Sequence, residues 1–260
     1  MAYQAFDLTG KVALVTGGNG GIGLGMAEAV AAAGAGVCVW GTNAEKNAVA
    51  VEKLKAHGTP VVSFVCDVTD EAQVAQRFQD TLTEFGRIDA CFANAGVIAP
   101  PTSFLKMSSE DWRRVLNVNL DGVFYTFRTA AQHMVERAKN NDPGGRLIAT
   151  ASIAAISGAA RNEHYAVTKG GLVSMIKALA VEFAHYGITA NALLPGWVET
   201  DMTADFFNSP KFSSVVKSRI PAGRWGKPED FGALAIYLMS TASAYHTGDT
   251  IRIDGGYCVF

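Results

Sequence analysis

The stretch KVALVTGGNGGIG, residues 11–23, decides the fold. Its first half, Lys11 to Thr16, is an apolar run of strand length. Its second half, Gly17-Gly18-Asn19-Gly20-Gly21-Ile22-Gly23, is a glycine loop that opens a helical stretch, Gly23 to Ala33. Glycine permits positive φ and lets the backbone approach a ligand, while a helix N-terminus favours an anionic phosphate. Gly18, Gly20 and Gly23 satisfy GxGxxG, and Gly17, Gly21 and Gly23 satisfy TGxxxGxG. No Gly-Lys-Ser/Thr follows, which excludes a P-loop. Taken alone the loop reads as a tight strand-to-helix turn, but its place at the first βα junction points to dinucleotide binding.

The same alternation runs outward from this stretch. Gly36–Trp40, Val61–Cys66, Ala90–Ala93, Arg146–Thr150, Ile188–Leu194 and Thr250–Ile253 read as further strands. Near-continuous apolar runs indicate strands covered on both faces, as in a parallel sheet. Between them Ala44–His57, Glu71–Phe85, Ser109–Lys139, Tyr165–Tyr186 and Pro228–Met239 read as helices. The predicted fold is α/β: a doubly wound Rossmann fold, a seven-stranded parallel sheet with helices on both faces. No linker or repeat interrupts it, so residues 1–260 are expected to form a single domain. Residues 200–220 lack a clear period and read as a mobile flap over a ligand site.

Composition bounds the function. A chain of 260 residues with 49% hydrophobic content buries a core of its own without staples. A net charge of −2 offers no footprint for nucleic acid or an anionic membrane. Ala29–Trp40, the longest apolar stretch, is too short to span a bilayer, and residues 1–11 show no secretory signal, so a cytoplasmic protein is expected. Cys38, Cys66, Cys91 and Cys258 form no CxxC pair and have no His at ligand spacing, so no metal site is expected. Glycine is the compositional oddity, at 27 residues against about 18 for ordinary usage.

An acid at the end of the second strand would read the ribose 2′-hydroxyl of NAD and repel the phosphate of NADP. Here Trp40-Gly41-Thr42-Asn43 offers neither acid nor arginine. Thr42 is able to donate to a phosphate, and Gly20 stands where an arginine would clamp it. NAD and NADP both remain open. Asp67, followed by Val68, suits the adenine amino group or equally serves as a helix N-terminal acid.

Tyr165 and Lys169, four apart, share one helix face. Ser152 ends the fifth strand, where the ligand crevice of an open α/β sheet lies. Gly17, Gly21 and Gly23, Asn94-Ala95-Gly96, Asn119, Ser152, Tyr165-x-x-x-Lys169 and Pro195-Gly196 resemble, in order and spacing, the short-chain dehydrogenase/reductase family. The likeness extends through Arg224–Glu229 and Asp254-Gly255-Gly256. Ala93 departs from the usual Asn-Asn-Ala-Gly, and Gly41-Thr42 carries no cofactor signature.

The resemblance implies an NAD(P)-dependent alcohol dehydrogenase or carbonyl reductase. Tyr165 would be the acid/base, Ser152 the hydrogen-bond donor to the substrate oxygen, and Lys169 the cation that lowers the phenol pKa and holds the nicotinamide ribose. Asn119 would anchor a water leading to Lys169; a helix residue bonding backbone is the rival reading, and Asn117 is an equal candidate by composition. The cofactor would lie along Gly17, Asn19, Gly21, Ile22, Gly23, Thr42, Asp67, Val68, Asn94, Gly96, Pro195, Gly196, Val198 and Thr200. Ala154, Trp197, Met202, Phe206 and Phe207 would give an apolar substrate pocket for a cyclic or aromatic carbonyl, or else serve as core or subunit-contact residues. Glu163 and His164, beside Tyr165, read either as pocket groups or, in preference, as an exposed loop. The family further implies a homotetramer, with the helix from Ser109 and the C-terminal strand in subunit contacts, and the apolar tail Tyr257–Phe260 fits burial against a neighbour. The alternative is a dinucleotide-binding regulatory or scaffold protein without turnover.

Overall fold

A computed structural model describes residues 4–260. The strands β1 (Val12–Thr16), β2 (Gly36–Gly41), β3 (Val61–Val65), β4 (Ala90–Ala93), β5 (Gly145–Thr150), β6 (Ile188–Pro195) and β7 (Thr250–Ile253) form one parallel sheet in the order 3-2-1-4-5-6-7. Each crossover carries helix: α1 (Gly21–Ala32), α2 (Ala44–Lys55), α3 (Glu71–Phe85), α4 (Ser109–Leu116), α5 (Gly122–Lys139), the short α6 (Ala154–Ser157), α7 (Glu163–Phe183), α8 (Ala204–Phe207), α9 (Pro210–Ser218) and α10 (Gly232–Met239).

The continuous apolar runs are explained by two cores. On one face Leu14, Cys38, Trp40, Cys91 and Leu147 pack against Phe78 of α3, Phe127 and Met134 of α5, and Leu172 and Ile176 of α7. On the other, Ala13, Val15, Val37, Val39, Phe92 and Ile148 pack against Met26 and Val30 of α1, Leu54 of α2, and Leu238 of α10. Neighbouring strand residues thus feed opposite layers, and alternation vanishes. Cys38, Cys66 and Cys91 are buried within this packing, as small hydrophobes are.

Three readings are corrected. Ser109–Lys139 is not one helix: Asn117–Asp121 forms a π-helical turn between α4 and α5. Residues 200–220 are not periodless; they fold as a 3-10 turn (Asp201–Thr203), α8 and α9, and bury Val216 and Ile220 against Trp225. These helices are too short to register a period in the sequence. The third concerns His164, which is wholly buried inside α7, not in an exposed loop.

The chain runs outward from β1 to β3, then returns to place β4 beside β1. There the connections diverge and open a crevice beyond the strand ends. The Thr16 hydroxyl closes its floor, accepting the Asn94 and Ala95 N–H groups, each at 3.0 Å.

Candidate active site

The glycine loop is shaped by positive φ at Gly17 and Gly21 and by contacts that leave no space for a side chain at Gly23. Gly17 has φ 63° and Gly21 φ 49°, conformations costly for other residues. A Cβ on Gly23 would lie 2.3 Å from the Gly17 carbonyl oxygen. Asn94 braces the loop from β4, its amide donating to the carbonyls of Thr16 and Gly17, both at 3.2 Å. Its role in the structure is thus support of the loop. Helix α1 starts from Gly20 with no side-chain cap, so its first-turn N–H groups are left to a ligand, the arrangement a pyrophosphate requires.

The crevice has two lobes. Gly17, Asn19, Thr42, Asp67, Val68 and Gly96 line an outer lobe of about 870 Å³, together with Trp40 and Arg113. Gly17, Asn19, Gly21, Ile22, Asn94, Gly96, Pro195, Gly196, Val198 and Thr200 line an inner lobe of about 280 Å³ with Ser152, Tyr165 and Lys169. Of the fourteen cofactor positions expected outside the catalytic set, Gly23 alone lies behind the wall, holding the loop. Asp67 is not the cap of α3, a part taken by Asp70 through the Gln73 N–H. Asp67 instead accepts from the Thr69 N–H and hydroxyl, at 2.9 and 2.8 Å. Asn19 donates to Asn47 at 2.7 Å, and this pair fills the space above Gly41, where a Cβ would clash with both amides.

Helix α7 brings Tyr165 and Lys169 to the inner lobe, opposite Ser152 at the end of β5. Lys169 is buried and donates to the Thr150 carbonyl at 2.7 Å. Burial depresses its pKa to about 8. The Lys169 nitrogen stands 5.5 Å from the Tyr165 ring centre. Burial raises the phenol pKa, and hydrogen bonding to Ser152 offsets this only in part. Within the protein alone desolvation outweighs that hydrogen bond and favours the neutral phenol. The Thr150 hydroxyl, in the same wall, is buried without a partner among the described residues.

Asn119, and not Asn117, is the buried asparagine. Its amide accepts from the Val97 N–H at 2.7 Å and donates to the Val97 carbonyl at 2.8 Å. Its side chain thus bonds backbone, tying the π turn to the loop after β4. A π turn inserted at such a place is frequently functional.

A separate cavity of about 390 Å³ opens from the inner lobe. Ser152, Ala154, Tyr165, Trp197, Met202 and Phe206 line it, as expected, joined by Ile98, Pro101, Ile153, Asn162, Phe212 and Tyr257. Among the described residues no Asp, Glu, Lys, Arg or His lines it. Phe207 does not line it either: its ring packs on Trp225 at 5.4 Å between centres. The neighbouring Phe206 takes the cavity face, because one helical step turns Phe207 away. Sequence reading missed Phe212 and Tyr257, which lie far along the chain and reach the cavity only through the fold of residues 201–218 and the C-terminus. It also missed Lys46, which lines the inner lobe with Asp201.

A doubly wound sheet, a glycine loop at its switch point and a Ser–Tyr–Lys set facing the crevice define a dinucleotide-dependent oxidoreductase. The family model for enoyl-(acyl carrier protein) reductase matches residues 17–258. The 3-oxoacyl-(acyl-carrier-protein) reductase FabG of Chlamydia pneumoniae is 37% identical over 96% of this chain and 97% of its own length. The 2-dehydro-3-deoxy-D-gluconate 5-dehydrogenase of Dickeya dadantii is 34% identical over 99% of each. Among solved structures, a short-chain type dehydrogenase/reductase from Mycobacterium marinum superposes with a TM-score of 0.91 at 36% identity, covering 98% of both chains. An Agrobacterium tumefaciens structure described as a 2-deoxy-D-gluconate 3-dehydrogenase with bound NADP gives 0.91 at 31% identity, covering 99% of this chain and 100% of that one. The chain belongs to the short-chain dehydrogenase/reductase family. It is an oxidoreductase of that NAD(P)-dependent family, and no helix among its described residues is long and apolar enough to cross a membrane.

Proposed function

We propose that this protein interconverts a secondary alcohol and a ketone whose body is apolar, cyclic or aromatic. The two-lobed crevice would hold NAD or NADP, which would supply or accept the hydride. In reduction the Tyr165 phenol donates its proton to the developing alkoxide, and in oxidation it takes that proton back. Burial favours the neutral phenol, the form that donates. Ser152 hydrogen-bonds the same oxygen and stabilises charge that grows in the transition state. Lys169 places its ammonium beside the ring and would hold the nicotinamide ribose, and Asn119 fixes the turn beside the crevice through Val97.

One observation carries this reading. The dinucleotide crevice and the uncharged cavity share Ser152, Tyr165, Gly196, Met202 and Thr203. A carbonyl held there lies between the hydride source and the proton source. The relatives named for gluconates act on sugar acids, whose carboxylate calls for a cation. This cavity offers none in its lining, and its aromatic wall favours an apolar body.

We further propose a single catalytic unit with residues 200–220 as its flap, working in the cytoplasm as a homotetramer. An apolar groove between α5 and α7, lined by Phe124, Phe127, Met175 and Phe183, and the exposed Val259 and Phe260 support subunit contacts there. Light scattering tests the assembly.

The test of function is consumption of NADH or NADPH by purified protein with cyclic, aromatic and acyl ketones. Tyr165→Phe is expected to lose roughly three orders of magnitude in turnover while keeping cofactor affinity. Tight cofactor binding with no turnover on any ketone would leave the regulatory alternative instead.

A further inference from the structure

The proposed chemistry uses two hydroxyls of the substrate cavity, Ser152 and Tyr165, and leaves the amide of Asn162, in the same lining, without a task. Asn162 stands at the N-cap of α7, where an asparagine ordinarily turns its side-chain oxygen to a first-turn N–H. Here it makes no such bond. The Tyr165 N–H goes instead to His164 Nδ1 at 2.9 Å. The backbone of Asn162 is engaged on both sides: its N–H donates to the Ala159 carbonyl and its carbonyl accepts from the Ala166 N–H, each at 3.0 Å.

The side-chain Oδ1 is buried without a partner, and among the described residues lining the cavity no other buried side-chain polar atom is left so. Ser157 and Thr203, in the same lining, donate their hydroxyl protons to the Ile153 and Val198 carbonyls. A buried acceptor without a donor is costly to the fold. The backbone that sets it is costly too: Arg161, the residue before, has φ 69°, which is uncommon outside glycine. Glu163 accepts the Arg161 N–H at 2.9 Å, and the Thr102 N–H donates to the Arg161 carbonyl at 3.1 Å, so the loop is pinned in that state. Backbone strain of this kind collects at ligand clamps.

An orphaned acceptor calls for a donor. A ketone or ether oxygen supplies none, whereas a hydroxyl does. Asn162 precedes Tyr165 by three residues, and neighbours at that spacing on a helix face have Cβ atoms about 5–6 Å apart, a separation that oxygens on adjacent carbons bridge.

We infer that Asn162 reads a hydroxyl on the carbon next to the reacting one: the substrate is a vicinal hydroxyketone with an apolar body, and reduction yields a vicinal diol. The inference rests on the ketone–alcohol reading of this cavity and narrows it.

The test is steady-state kinetics of the intact protein with NADH or NADPH and three ketones. These are 2-hydroxycyclohexanone, 2-methoxycyclohexanone, whose ether oxygen accepts but does not donate, and cyclohexanone. The native chain should show kcat/KM for the hydroxyketone at least about 10-fold above that for either of the others, since a site built to bind a hydroxyl rejects analogues that lack it. Asn162→Leu should cut kcat/KM for the hydroxyketone at least about 10-fold more than that for cyclohexanone. An equal fall for the two would make Asn162 a brace of the loop and overturn the inference. So would a native chain that reduces either of the other ketones as well as the hydroxyketone, whatever the variant does. If the native chain reduces none of the three, the ketone reading of the cavity fails together with this one.

Discussion

The buried ammonium of Lys169 donates to the main-chain carbonyl of Thr150 at 2.7 Å, two residues before Ser152. This bond ties the helix that carries Tyr165 to the strand end that carries Ser152. A backbone carbonyl is only a partial counter-charge, and burial holds the Lys169 pKa near 8 against an ordinary 10.5. The position is therefore costly to the fold while it serves the site.

Lys169→Met should abolish turnover and yet raise thermal stability at neutral pH. A depression from 10.5 to about 8 corresponds to roughly 3 kcal/mol, offset by about 1–2 kcal/mol for the lost hydrogen bond to Thr150. Below about pH 8 the lysine is charged in both folded and unfolded chains, and the burial cost stands in full. Between about 8 and 10.5 the unfolded chain binds the proton that the folded chain lacks, so native stability rises with pH. The advantage of the variant should therefore be largest below pH 8 and shrink above it. Denaturant titrations at several pH values check this, and a variant less stable than the native chain at pH 7 would refute it.

Catalysis should follow the same titration. As Lys169 loses its charge above about pH 8, the positive field beside Tyr165 goes with it, and kcat for ketone reduction should fall on that limb. A rate profile flat from pH 7 to pH 9 would count against it.

Two glycine substitutions should have opposite signs. Gly23→Ala drives a Cβ to 2.3 Å from the Gly17 carbonyl oxygen and 2.5 Å from the Asn94 amide, and overpacking of this kind costs about 1–3 kcal/mol. Cofactor affinity should drop with it, since the loop must shift. Gly170→Ala, in mid-helix with nothing within 4 Å, should stabilise by about 0.5–1 kcal/mol. Thermal melts with and without cofactor separate the two.

At the opposite end of the sheet, Asp89→Asn should unfold the protein without touching the chemistry. Burial alone would raise the Asp89 pKa, but the Arg87 guanidinium and the Val12 N–H pull it below the usual carboxylate range. Arg87 bonds both carboxylate oxygens, at 2.9 and 2.6 Å, and Arg137 lies 3.3 Å away. Removing one partner of such a cluster costs about 3–5 kcal/mol. Native stability from this group is present above the ordinary aspartate pKa and lost as pH falls through its depressed value. Protein that survives the substitution should keep its KM for substrate; a selective rise in KM would contradict this.

Trp197 is the hub of the cavity wall, edge-on to Phe206, Phe212 and Trp225 at 6.0, 5.4 and 5.4 Å. Trp197→Ala should raise KM for bulky apolar ketones roughly 10-fold or more, with a smaller change for short ones. Equal effects on both would mean that the ring supports the flap and does not contact substrate.

The strands were legible because a parallel sheet covered on two faces demands unbroken apolar runs. The glycine loop was legible because its contacts admit no other residue at Gly17 or Gly23. The break between α4 and α5 was not, because a π turn keeps the local helical pattern; only the clustering of Asn117, Asn119 and Gly122 hinted at it. His164 misled because a polar residue in a polar string reads as exposed, whereas α7 already begins at Glu163. Lys46 escaped for a different reason: its place beside Asp201 depends on a contact 155 positions apart in the chain, which no local pattern encodes.

The crevice thus has one wall that is fixed and one that is free to change. On the glycine side, Gly23 abuts the Gly17 carbonyl, Gly25 the Pro228 carbonyl and Gly41 the Asn19–Asn47 pair, so an atom added at any of these three is punished. Across from it, Met202, Phe206 and Phe212 sit on short helices that pack mostly on one another and on Trp197. Laboratory evolution toward a new ketone should accordingly find its productive substitutions between residues 200 and 220, and should find the phosphate loop barren ground.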